Sequence, residues 1–299
     1  MRDTGQGRDV KDRSTPPRLA YGCATHVPLL VEYPAFVEPI RLGAAQADGA
    51  LNLRDLAPEW EAHHPILGGL VGTFAMKNHV LAHHPEADRI GLCQYRKFVS
   101  RRRLSRVVAP SYKAMDVVTK QSLSPGLLAE AMLPDAEWLL PRPFLLSNWR
   151  KHGDMLEQYS RVHQPQDLLR FVAEAVEQQL LDKTEVPRFL AEEVMVPGGI
   201  ELGVFPAEFW IRSVTAIENV VRACVQRFNV VRDGYDARAW AFCVERLGSY
   251  VVLRELRTLP GIELRLFRLR WAGPNHWSRR FGGRLNLLTD DADDYVIGA

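Results

Sequence analysis

Apolar positions divide the chain into strand-length runs and helix-length stripes. Leu19 to Thr25 (LAYGCAT) predicts a first strand, which ends at Thr25-His26-Val27-Pro28. Phe36 to Leu42 predicts a second, and Asp48-Gly49 marks a turn. Ile66 to His83 carries Leu67, Leu70, Val71, Phe74 and Leu81 at helical spacing; Gly68 and Gly69 weaken its start and Pro85 ends it. Ile90, Leu92 and Cys93 then predict a short buried strand inside Ala87 to Arg103 (ADRIGLCQYRKFVSRRR), which turns polar and then strongly basic. In an open α/β sheet, a buried strand with a positively charged end presents a site for an anionic ligand. A solvated basic turn is the alternative.

Further on, Pro125 to Met132 reads as a helix opened by proline. Glu137 to Leu140 reads as a short strand closed by Pro141 and Pro143. Trp149 to Tyr159 and Pro165 to Leu181 read as helices. Glu193 to Val204, with Gly198, Gly199 and Gly203, reads as a hairpin or bulged strand. Ala207 to Phe228 is a long amphipathic helix with Trp210, Val214, Ile217, Val221, Cys224 and Phe228 inward, and Arg238 to Leu256 is another. Gly261 to Trp271 alternates like an imperfect strand. Ser105 to Gln121 fits no pattern. Without repeats or a long linker, the expected organisation is a polar tail (1–18), one α/β domain (19–287) and an acidic tail (288–299).

Composition narrows the classes. The 299 residues hold 38 Lys and Arg against 36 Asp and Glu, a net charge of +2. A chain so balanced is not, as a whole, a nucleic-acid binder or an acidic protein. Cys23, Cys93, Cys224 and Cys243 lie far apart among apolar residues with no C-x-x-C pair, so they read as buried free thiols in a reducing compartment. The first 18 residues lack the apolar core of a signal peptide. No run reaches the roughly 18 apolar residues that span a bilayer. The expected location is cytoplasmic, with peripheral attachment to a membrane left open.

Candidate chemistry is sparse. His79 and His83 stand at i and i+4, near His84 and the His63-His64 pair. The hydrolytic H-E-x-x-H pattern fails because Val80 follows His79, and no cysteine or carboxylate lies at ligand spacing, so no metal site is expected. There is no G-x-x-x-x-G-K, G-x-G-x-x-G or G-x-S-x-G. The sole D-x-D, Asp291-Ala292-Asp293, falls in the terminal tail. Arg96, Lys97, Arg101, Arg102, Arg103 and Arg106 could grip nucleic acid, but aromatic residues are scarce among them. Facing the diphosphate of an activated substrate suits a strand end better. Glu245, beside Arg246 on the predicted last helix, is an exposed or ion-paired residue unless it faces a cleft, where it could act as a general base.

Several segments in order carry a resemblance. They are Thr25-His26 with Pro28; Lys77-Asn78; Gly91-Leu92-Cys93-Gln94-Tyr95-Arg96-Lys97-Phe98; Gln158-Tyr159 with His163 and Asp167-Leu168; and Arg238 with Glu245-Arg246-Leu247. Together they resemble the glycosyltransferase-like domain of bacterial capsular-polysaccharide synthesis, whose members are similar to nucleotide-diphospho-sugar transferases of the GT-A fold. Gln94 replaces that family's histidine, and Ile66-Leu67-Gly68-Gly69 replaces its acidic and aromatic signature. The resemblance implies a GT-A-like (Rossmann-like) α/β fold with a mixed, mostly parallel sheet flanked by helices. It implies transfer of a sugar from a nucleotide-diphospho-sugar to a glycan or lipid-linked glycan acceptor. Thr25, His26, Lys77, Asn78, Gln94, Tyr95 and Arg96 would bind the donor, and Glu245 and Arg238 would serve catalysis. Metal dependence stays open, with the missing internal D-x-D against a manganese clamp. A relative that binds a nucleotide sugar or a partner protein without catalysis is the second reading; a nucleic-acid binder using Arg101 to Arg106 is a third.

Overall fold

In this computed structural model, residues 18–101, 109–112, 115–119, 123–134, 136–141, 143–148, 153–228, 230–259 and 281–288 are described. In chain order the elements are β1 (Leu19–Thr25), β2 (Val37–Arg41), β3 (Leu51–Asn52), α1 (Leu53–Leu56), α2 (His64–Leu67), α3 (Leu70–His83), β4 (Arg89–Gln94), β5 (Lys97–Ser100), β6 (Ala109–Tyr112), β7 (Met115–Thr119), α4 (Pro125–Met132), β8 (Leu140–Pro141), β9 (Phe144–Leu145), α5 (Met155–Val162), α6 (Pro165–Glu177), α7 (Val186–Leu190), β10 (Val194–Met195), β11 (Gly203–Pro206), α8 (Ala207–Arg227), α9 (Ala239–Thr258) and β12 (Phe281–Leu288).

The class is α/β. β1 pairs in parallel with β2 on one side and β4 on the other, and β2 pairs in parallel with β3. Chain progress therefore reverses between β1 and β4, in the order β3-β2-β1-β4. Beyond β4 the sheet is mixed. β11 and β5 both run antiparallel to β4, and β12 lies between β5 and β7.

Alternation along β1 divides the interior. Tyr21 and Cys23 enter a smaller core with Cys93, Phe98 and Val99. Ala20 enters a larger one with Ile90, Leu92, Phe74, Met76 and the inner faces of α8 and α9. Gly91 lies beside Tyr21 in register, and a Cβ there would stand 2.1 Å from the tyrosine ring. α8 buries Trp210, Val214, Ile217, Val221 and Cys224, the stripe its spacing predicts. All four cysteines are free and buried. Among the described residues, no helix is long and apolar enough to cross a membrane.

Some expected elements change. The helix expected over Ile66 to His83 is two helices, parted where Gly68 takes φ +56°. Glu193 to Val204 is no hairpin: β10 pairs with β9, whereas β11 joins β4. Between them Gly198 and Gly199 make a left-handed turn at φ +75° and +49°. The short strand expected over Glu137 to Leu140 is Leu140–Pro141. α5 starts at Met155, where the Asp154 carboxylate accepts from the Glu157 amide at 2.8 Å and caps it; positions 149–152 of the expected helix lie outside the described residues. The basic lip after Cys93 is also different in kind. Tyr95 and Arg96 are the tip of a tight β4–β5 hairpin, and Phe98, Val99 and Ser100 are buried strand. Arg101 is taken up by α4, where its Nε donates to the Glu130 carbonyl at 2.7 Å. Arg102 to Arg106, Gly261 to Trp271 and the D-x-D lie outside the described residues.

Candidate functional site at the carboxyl ends of the parallel strands

In open α/β sheets, ligands bind outside the carboxyl ends of the strands, at the point where strand order reverses. Here that point lies between β1 and β4. The Thr25 side chain is buried and turns inward, where its hydroxyl donates to the Val27 carbonyl and accepts from the Val27 amide at 3.4 Å. It shapes the turn and so aims the next residue, His26, outward. The His26 ring meets the Tyr95 ring edge to face, with centroids 4.9 Å apart. Tyr95 is held there by its own amide, which donates to the Ala24 carbonyl at 3.1 Å. The Arg96 guanidinium lies over the Tyr95 ring, 5.3 Å from its centroid.

The second wall comes from α2 and α3. His64 lies 6.2 Å from His26, ring to ring. Gly43, just past β2, takes φ +52°, and a Cβ on it would stand 2.9 Å from the His64 ring. Gln94 approaches Gly69 so closely that a Cβ there would be 3.2 Å from its Nε2. The Arg238 guanidinium stands beside Gly68. Burial, and then the charge of Arg238, holds the His64 imidazole below its usual value. His26, His64, Gln94, Tyr95, Arg96 and Arg238 thus gather near the carboxyl ends of β1 and β4, beside the backbone turns at Gly43 and Gly68.

α9 supplies the third wall. β11 runs antiparallel to β4, so its first residues lie at the carboxyl end of β4. The glycine turn just before β11 therefore sits at this pole. There the Gly198 amide donates to Glu245 Oε1 at 3.1 Å, and the Val196 amide donates to the Ser249 hydroxyl at 2.8 Å. Arg238 caps α9, and Glu245 follows it by two turns on nearly the same helix face, about 10 Å along the axis. Behind Glu245, Arg246 donates to the Gln158 amide oxygen at 3.0 Å and lies over the Tyr159 ring. Asp167 is fully buried and takes both amino groups of Arg232. The motif segments that hold Gln158 and Arg246, 88 positions apart, pack together.

Lys77 and Asn78 take other positions. α3 starts at the crevice, with Gly72 against Ala24, and runs away from it. Lys77 is ~7–8 Å farther along the axis. Its ammonium pairs with Glu218 of α8 in the interior, and Asn78 Nδ2 donates to the Leu56 carbonyl at 2.8 Å. His64 and Gly68 stand beside His26 and Arg238, and Gly198 beside Glu245, although the sequence assigns none of the three to the candidate site. The signal was a glycine pair beside each expected helix or strand end.

His163 gives this region a pH signature. Its ring stacks on Phe242 at 4.1 Å and 13°, and burial with the charges of Arg246 and Arg232, partly opposed by Glu245, lowers its pKa to about 3. The folded chain keeps this ring neutral, while an unfolded chain protonates it below about 6.5. Its contribution is complete above pH 6.5 and is lost as pH falls toward 3. Urea midpoints between pH 7 and 4 should therefore fall less steeply in His163→Phe than in the parent. An unchanged slope would mean that the ring is solvated.

No family model matches the chain, and no curated protein matches it. Among solved structures, the chain is similar to the apo structure of the WbbM bifunctional glycosyltransferase, with a TM-score of 0.63 at 12% identity. The match covers 92% of this chain and 46% of that one, so this chain spans about half the length of its structural neighbour. The chain thus shares its fold with a part of a glycosyltransferase.

Proposed function

We propose that the chain is a glycosyltransferase that takes a nucleotide-diphospho-sugar in the crevice between β1 and β4. The acceptor would be a hydroxyl of a growing glycan, in the manner of capsular-polysaccharide synthesis. One observation carries this reading: Arg96, Arg238, His26 and His64 converge with Tyr95 at the reversal point of the sheet. The rings of His26 and Tyr95 offer surfaces for the nucleoside. The guanidinium groups of Arg238 and Arg96 match the diphosphate and stabilise the charge that develops as it leaves. Glu245 would accept the proton of the attacking hydroxyl.

A second reading, nucleotide-sugar binding without transfer, is favoured by Glu245 itself. Its carboxylate already holds the Gly198 amide and stands 3.5 Å from Arg246, which competes with a role as base. Calorimetry with a panel of nucleotide diphosphates, paired with a donor-hydrolysis assay, decides. Arg238→Ala should bind the preferred diphosphate about tenfold more weakly, the loss of one charge-assisted contact. Glu245→Gln should keep binding and lose turnover if transfer is the function. Binding in the parent with no turnover of any donor favours the second reading, and a panel with no ligand removes both.

A further inference from the structure

On the opposite half of α3, Glu38 of β2 meets two histidines. His79 Nε2 and His84 Nε2 each stand 3.2 Å from the same oxygen, Glu38 Oε2, and the three atoms all lie within 4.8 Å of one another. We propose that Glu38, His79 and His84 form a divalent transition-metal site, suited to zinc, that ties the end of α3 to β2.

Both contacts lie at the long end of N–H···O hydrogen bonds and also suit two ligands of one ion. A charged N–H···O bond from an imidazolium would close to about 2.7–2.9 Å. Ligand atoms on a tetrahedral zinc, each bonded at about 2.0–2.1 Å, stand roughly 3.3 Å apart, close to the 3.2 Å of the two histidine–carboxylate separations here. Two imidazoles and one carboxylate leave a fourth position for water, a ligand set that zinc accepts. His79 is 4% exposed, so the packing around its ring fixes where its Nε2 stands beside Glu38. The Glu38 and His84 side chains are 36% and 34% exposed, which gives an ion its way in. His84 follows the last residue of α3 and its amide donates to the Val80 carbonyl, so the helix end fixes where its ring stands. The expectation that no carboxylate lies at ligand spacing fails because β2 supplies one from 41 positions upstream.

The test is titration of the chelator-treated full chain with Zn²⁺ by calorimetry, and with Co²⁺ by visible absorption. One ion per chain is expected, with a strong tetrahedral Co²⁺ band. Glu38→Gln and His84→Ala, both at half-exposed positions, should each bind about tenfold or more weakly and lose the rise in melting temperature that Zn²⁺ gives the parent. His83→Ala, at an exposed ring outside the ligand set, should bind within about twofold of the parent. Absence of binding by the parent overturns the proposal. So does parent-like binding in both Glu38→Gln and His84→Ala, or an equal loss in His83→Ala.

Discussion

Glu218→Leu should cost about 3–5 kcal/mol of stability, the scale for stripping one partner from a buried charge pair. Glu218 is 3% exposed, and three groups converge on it. Trp60 Nε1 donates to it at 2.7 Å, Arg222 reaches it at 3.1 Å from the next turn of α8, and the Lys77 ammonium bonds its other oxygen. Arg222 also lies over the Trp60 ring and has Glu59 nearby, so it keeps partners and water when Glu218 is lost. Lys77 does not: among the described residues it has no other carboxylate within ion-pair distance, and only a small part of it reaches solvent. Its bare ammonium dominates the cost. The double variant Glu218→Leu with Lys77→Met removes both charges and should recover the part of the loss due to the bare ammonium, leaving about 1–3 kcal/mol for the buried Trp60 indole N–H that has lost its acceptor. Urea unfolding with unchanged slope measures the cycle. A cost below about 1 kcal/mol for Glu218→Leu would mean that Lys77 is solvated and free to turn toward a donor, as the motif resemblance implied.

The contrast between Lys77 and His26 explains what the chain reveals in one dimension. Strands β1 and β4 are legible as short apolar runs because both of their faces are buried, and helix α8 because its burial repeats at the helical period. Arg238 and Glu245 are legible as a pair because a single helix spaces them. What is hidden depends on distant partners. Nothing near Lys77 announces Glu218, 141 positions later. Nothing near His79 announces Glu38 across a strand. The β4–β5 hairpin is hidden for another reason: its tip is Tyr95-Arg96, without the glycine or asparagine that usually marks so tight a turn. The Gly68-Gly69 break shows the reverse case. The glycines are visible, but apolar spacing runs straight through them, and only the fold shows that Arg238 and Gln94 approach the break.

Gly199→Ala should lose about 2–5 kcal/mol, made of two separable parts: a left-handed backbone that costs an L residue roughly 1–2 kcal/mol, and an overlap that costs about 1–3. The overlap is with backbone, which cannot swing aside. An added Cβ would stand 2.7 Å from the Ser249 amide nitrogen, 2.9 Å from the Gly248 carbonyl carbon and 3.1 Å from the Glu245 carbonyl oxygen. α9 would have to retreat from the turn that carries Gly198. Gly49→Ala isolates the first part, since Gly49 has φ +72° and nothing within 4 Å of an added Cβ. The difference between the two variants then reads the closeness of α9 alone. Under the proposed function, the same substitution should reduce turnover through the loss of Glu245's hold on Gly198, and should weaken nucleotide binding only as far as α9 carries Arg238 with it, since His26 after β1 and Tyr95 and Arg96 in the β4–β5 turn are on other elements. If Gly199→Ala costs no more than Gly49→Ala, α9 does not bear on the turn, and Glu245 is not held at the carboxyl end of β4 at all.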